Sequence, residues 1–222
     1  MRTRRVFVVT GVMLFVVAGF VVRSRYGDAP LDRSPSARPD GNDAVVGRTP
    51  QIVFLGDSRI EWGAWPELLK RADILNRGIA GDTTSGILQR LRAAVPNDGG
   101  MCLIQAGVND LSQGFAPEKV VANFGSILDY LRAEKRAHVI ITSVILVGQE
   151  RSDLNGVIND CNRRLAQLAA ARGARWLDLD AVLSARGYLA REYSEDGVHL
   201  NAEGYEQLCG ALAPLLPAEA VD

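Results

Sequence analysis

Gln51-Ile-Val-Phe-Leu-Gly-Asp-Ser58 is the stretch on which the fold turns. Ile52 to Leu55 form an apolar run that leads straight into Gly56-Asp57-Ser58 and then Arg59-Ile60-Glu61-Trp62. A short uninterrupted apolar run suits a strand buried on both faces, and a polar turn into a helix-forming segment is the junction of a parallel α/β unit. The pattern recurs downstream. Strands are expected at Gln51–Leu55, Ile74–Arg77, Met101–Ala106, His138–Ile145 and Trp176–Leu179, with helices between them. Val120, Val121, Phe124, Ile127, Leu128 and Leu131 repeat at helical spacing, as do Val157, Ile158, Cys161, Leu165 and Leu168; both stripes read as core faces. A last helix is expected over 202–216, capped by Asn201 and stopping before Pro217. The expectation is an α/β fold, a parallel sheet with helices on both faces, in one domain over 51–217 with a tail at 218–222.

The 222-residue chain has a formal net charge of -1, which offers no basic footprint for nucleic acid. Its charge is uneven. Residues 1–25 contain five Arg and no acid, and Val6 to Val22 is an uncharged, mostly apolar run of 17 residues between Arg2/Arg4/Arg5 and Arg23/Arg25. As a helix it would cover about 26 Å, just short of the roughly 30 Å hydrocarbon core, with the arginines snorkelling to the interfaces. Arg23-Ser24-Arg25 follows it instead of a clear A-x-A site, which favours an uncleaved anchor over a cleaved signal peptide. The excess of Arg at the amino terminus places that end in the cytoplasm and the remaining chain outside. Residues 26–50, rich in Asp, Arg, Pro, Ser and Gly without apolar period, read as a flexible linker. Cys102, Cys161 and Cys209 are too widely spaced for a zinc site or a disulfide framework and read as buried thiols, although export would permit pairing of two.

Four polar blocks follow secondary-structure boundaries. Ser58 falls at the carboxyl end of the first strand, where ligands bind in open parallel sheets and a helix amino terminus offers N–H groups to a developing oxyanion. Taken alone, the tripeptide serves equally as a helix cap. Asn76-Arg-Gly-Ile-Ala-Gly-Asp-Thr-Thr84 follows the second strand, with Gly78 and Gly81 in a loop and Asp82 or Thr83 as cap of a helix starting near Thr83. It lacks the Lys-Ser/Thr ending of a P-loop. Gly107-Val108-Asn109-Asp110 follows the third strand, and Asn109 has a side-chain amide to donate, although Asn-Asp is also ordinary turn material. Asp196-Gly197-Val198-His199 precedes the last helix, and Asp196 can curl back to hold one ring nitrogen of His199 while the other takes a proton. His138, the other histidine, opens a strand without polar neighbours and reads as structural; the sequence supplies no metal-ligand set and calls for no cofactor.

These blocks, in this order from Ile52 to Tyr205, resemble the SGNH (GDSL-like) serine hydrolases, and NRGIAGDTT resembles the branch with platelet-activating-factor acetylhydrolase and bacterial lysophospholipase/thioesterase enzymes. The resemblance implies a flavodoxin-like three-layer sandwich on a five-stranded parallel sheet of order 2-1-3-4-5. It implies Ser58 as nucleophile, His199 as general base and Asp196 as its partner. The oxyanion hole would be the Ser58 N–H, Gly81 and Asn109. Arg59 stands where the family motif has Leu; an arginine that points away and serves solubility is one reading, and substrate preference is not carried over. The expected reaction is hydrolysis of a carboxylic ester or thioester, of a lipid or an acylated small molecule or sugar. Alternatives are a cell-envelope carbohydrate O-acetylesterase, an acyltransferase and a catalytically silent envelope-binding module. The loops after Asp110 and Leu146 carry no diagnostic chemistry, and no large lid is encoded.

Overall fold

Residues 52–96, 98 and 100–218 are described by a computed structural model. The expected anchor (1–25), the linker (26–50), Gln51 and the tail beyond Ala218 lie outside them. No helix among the described residues is long and apolar enough to cross a membrane.

The sheet is parallel. β1 (Ile52–Gly56), β2 (Ile74–Gly78), β3 (Met101–Gln105), β4 (His138–Thr142) and β5 (Arg175–Leu177) lie in the order β2-β1-β3-β4-β5. Because side chains alternate across a strand, each strand feeds two cores. Val53, Leu55, Cys102, Ile104, Val139 and Ile141 pack on one face beneath α3 (Thr84–Ala94), α5 (Pro117–Ala133) and α6 (Asn155–Arg172). Ile52, Phe54, Leu103 and Ile140 pack on the other, beneath α2 (Trp65–Leu69), α7 (Asp180–Leu183) and α8 (Ala202–Leu212). Two short helices, α1 (Ser58–Glu61) and α4 (Val108–Ser112), begin just past the carboxyl ends of β1 and β3. The two expected helical stripes are the buried faces of α5 and α6.

Several boundaries differ from expectation. Apolar character continues past the fourth strand to Val147, but β4 ends at Thr142. Two buried asparagines of α6 replace the ladder there. Asn162 accepts from the Val144 N–H (2.8 Å) and donates to its carbonyl (2.9 Å), and Asn155 does the same for Val147, at 2.9 Å each. Likewise, β5 stops at Leu177 because Leu179 has helical dihedrals at the start of α7. The final helix runs only to Leu212 and tightens into a 3₁₀ turn, Ala213–Leu215, since Pro214 has no N–H for the next helical bond. A small hairpin, β6 (Ser184–Ala185) with β7 (Tyr188–Leu189), was not expected. The three cysteines are free and buried, and burial pushes Cys102 and Cys161 up to about 12.

Candidate active site

Asp57, not Ser58, caps α1: its carboxylate accepts from the Arg59 N–H at 3.0 Å. That leaves Ser58 as first residue of the helix, its Oγ free to face a partner and its N–H without a partner among the described residues. Tyr205, on α8, donates its hydroxyl to the Arg59 carbonyl at 2.9 Å and so fastens the same turn from the far end of the chain.

The Asp196–His199 turn is closed by one carboxylate. Asp196 Oδ1 accepts from the N–H groups of Val198 and His199, both at 2.8 Å, and Oδ2 meets His199 Nδ1 at 2.6 Å. With its Nδ1–H given to the carboxylate, the imidazole presents Nε2 as acceptor, and Ser58 Oγ lies 3.0 Å from it. Partial burial pushes Asp196 upward, but the hydrogen bonds from the His199 ring and from the two backbone N–H groups outweigh it and hold the carboxyl at about 2. Asp196 is therefore a carboxylate across the neutral pH range.

The loop after β2 is strapped to the Ser58 turn. Ile79 N–H donates to the Gly56 carbonyl at 3.0 Å and Ala80 N–H to Glu61 Oε2 at 2.9 Å. At Gly78 a Cβ would lie 2.2 Å from the Glu61 nitrogen, so only glycine permits this approach. Gly81 has φ +78°, and its N–H has no partner among the described residues. Glycine there is a matter of backbone conformation, since a Cβ would meet nothing within 4 Å. Asn109 Nδ2 donates to the Asp82 carbonyl at 2.9 Å, which holds its amide against the Gly81–Asp82 loop with a second N–H left over. Asp110 is buried and anchors the same junction. Its carboxylate accepts from Thr84 N–H (2.9 Å) and Thr84 Oγ1 (2.6 Å) at the start of α3, while Asn123 donates to Thr84 Oγ1 at 2.8 Å.

Arg59 does not point to solvent. It is 1 % exposed, and its guanidinium donates through Nε to the Val198 carbonyl (2.8 Å) and through Nη1 to the Ile145 carbonyl (3.0 Å). Two loops past the carboxyl edge turn carbonyls toward this position, and a long cation satisfies both. Burial pulls the guanidinium below its ordinary value while the nearby Asp57 charge opposes the shift; an arginine keeps its proton under such conditions. Burial also raises Asp57.

Trp62 packs its indole on the His199 imidazole, with ring centroids 4.1 Å apart and a 36° tilt, yet stays half exposed. His138 is exposed at the start of β4, on the opposite edge of the sheet, beside a cavity of about 480 Å³ that Arg132 and Arg175 also line. Among the described residues no cluster of three or more His, Cys, Asp or Glu could hold a metal ion.

Residues 45–207 match the model of the GDSL-like lipase/acylhydrolase family. The chain belongs to that family. It is a carboxylic ester hydrolase on an α/β fold shared with solved members. The acylhydrolase is 28 % identical over 178 residues to platelet-activating factor acetylhydrolase IB subunit alpha1 of Bos taurus, covering 76 % of each chain. It is 29 % identical over 203 residues to the isoamyl acetate-hydrolyzing esterase 1 homolog of the same species, covering 75 % of its own chain and 81 % of that relative. A GDSL-like lipase from Bacteroides thetaiotaomicron superposes with a TM-score of 0.66 at 25 % identity, over 74 % of this chain and 86 % of the other.

Ser58, His199 and Asp196 thus come together in one hydrogen-bonded row, and Asn109 meets the Gly81 loop. Sequence reasoning missed the inward direction of Arg59, the anchoring by Asp110 and the contact of Trp62 with His199. No local pattern marks Arg59 as buried, since the carbonyls that hold it lie 139 and 86 positions away.

Proposed function

We propose that the acylhydrolase cleaves short-chain carboxylic esters through an acyl-enzyme on Ser58. The observation that carries this reading is the row Asp196 Oδ2, His199 Nδ1, His199 Nε2, Ser58 Oγ, with contacts of 2.6 and 3.0 Å. His199 takes the Ser58 proton as Oγ attacks the ester carbonyl, and Asp196 holds the tautomer and supports the imidazolium. The tetrahedral oxyanion is received by the N–H groups of Ser58 and Gly81 and by the Asn109 amide. His199 then returns the proton to the departing alkoxy oxygen, and a water activated by the same imidazole releases the acid.

An acetyl or similarly small acyl group is favoured by the relatives, whose names describe acetylhydrolase and acetate-ester hydrolase activities. The test is hydrolysis of p-nitrophenyl acetate, butyrate and decanoate by the wild type and by Ser58→Ala. Turnover falling with chain length and abolished in the variant, at unchanged thermal melting, supports the proposal. Retained turnover in Ser58→Ala removes the acyl-enzyme. A preference for decanoate removes the short-chain assignment.

Residues 1–25 are proposed to anchor the catalytic domain to a membrane on its outer side, supported by the 17-residue uncharged run. Release of the full-length chain from membranes by alkaline carbonate would overturn the anchor.

A further inference from the structure

We infer that the Trp62 indole is the wall against which the alcohol portion of the ester lies, and that the enzyme favours esters whose alcohol carries a ring face. The inference rests on Ser58 and His199 acting as nucleophile and base. When the tetrahedral intermediate breaks, the C–O bond to the alcohol is cleaved and His199 Nε2–H gives its proton to the alkoxy oxygen. That oxygen must lie about 3 Å from Nε2, so the carbon it carries begins one bond beyond the imidazole edge.

Trp62 is the aromatic surface at that place. Its ring centroid is 4.1 Å from the imidazole centroid, and 53 % of the residue is open to solvent. It is four residues after Ser58, and its N–H donates to the Ser58 carbonyl at 3.0 Å, so nucleophile and indole leave one side of the same turn toward His199. Among the described residues the other exposed large apolar side chains are Ile79 and Phe115. They stand on the loops that carry Gly81 and follow Asn109, and the ring contact on His199 is made by Trp62. An indole is broad, stiff and partly dry, so a flat ring stacks on it at low entropic cost. An aryl alcohol and a pyranose present the same kind of face.

Acetate esters isolate this contact because all of them give the same acetyl-enzyme. The experiment measures kcat/KM for benzyl acetate, methyl 6-O-acetyl-glucopyranoside and propyl acetate with the wild type, Trp62→Ala, Trp62→Phe and Phe115→Ala. The expected result for Trp62→Ala is a loss of roughly tenfold on one or both ring alcohols and under about twofold on propyl acetate. Trp62→Phe is expected to recover most of the benzyl rate, and Phe115→Ala to leave the ratio of ring to propyl esters unchanged. Loss confined to the benzyl or to the pyranoside ester names the aromatic or the sugar source.

An equal loss on all three esters overturns the proposal, because an indole acting only on the imidazolium is blind to the alcohol. So does no loss on any, or the same selective loss in Phe115→Ala. The serine mechanism fails by a different result, turnover of all three esters by Ser58→Ala.

Discussion

The Arg59 guanidinium donates to the carbonyl of Val198, the residue before His199, across 139 positions of sequence and at 2.8 Å. A second bond to Ile145 ties the loop after β4 into the same clamp. The side chain that follows Ser58 thus holds the backbone that carries His199. Leucine at this position can do neither. Arg59→Leu is expected to lower kcat about 10- to 100-fold with little change in KM, since a misplacement of about 1 Å is worth up to that much. Two orphaned carbonyls should also cost about 1–3 kcal/mol. Urea unfolding and steady-state kinetics check the two effects, and a folded Arg59→Leu with wild-type kcat would remove the positioning role.

Asn109→Ala removes one donor of the proposed oxyanion hole and releases the Asp82 carbonyl that Asn109 holds. Turnover is expected to fall about 100- to 1000-fold, short of abolition, because the backbone donors remain. Nearly unchanged kcat takes Asn109 out of the hole.

Asp110→Ala leaves Thr84 N–H and Oγ1 without their acceptor in a buried place. A loss of about 2–3 kcal/mol in urea unfolding is expected, from removing charge-assisted bonds. A much smaller loss would mean that the Asn123–Thr84 contact suffices to hold the start of α3.

Activity should depend on a single proton at acid pH. The Asp196 carboxyl is depressed from 3.8 to about 2, so it contributes stability above its unfolded value and loses it only as pH falls toward 2. Between pH 8 and 4 it stays ionised, so a loss of activity in that window follows protonation of the proposed base alone. Log kcat/KM is expected to fall with unit slope toward acid pH. A flat profile from pH 5 to 8, or a slope of two, counts against the assigned roles.

The strand run Ile52–Leu55 and the stripes of α5 and α6 were legible because burial on two faces or one imposes a composition that local sequence carries. The ends of β4 and β5 were not. Val144 to Val147 are apolar like the strand before them, and only the amides of Asn155 and Asn162, reaching from α6, show that the ladder has stopped. The inward direction of Arg59 was not legible for a similar reason. Its burial depends on two carbonyls more than eighty residues away.

For Ser58 the division is clear. The sequence alone determined which residues are on offer, because serine, glycine, asparagine, aspartate and histidine each follow a strand or precede a helix, in an order that resembles the SGNH hydrolases. Its helix-capping alternative stayed open there, since a side-chain oxygen at a helix start serves either purpose. Only the tertiary structure gave capping to Asp57 and set Ser58 Oγ 3.0 Å from His199 Nε2. The contact spans 141 residues, and strand order with the packing of α8 brings its partners together, which no local pattern encodes.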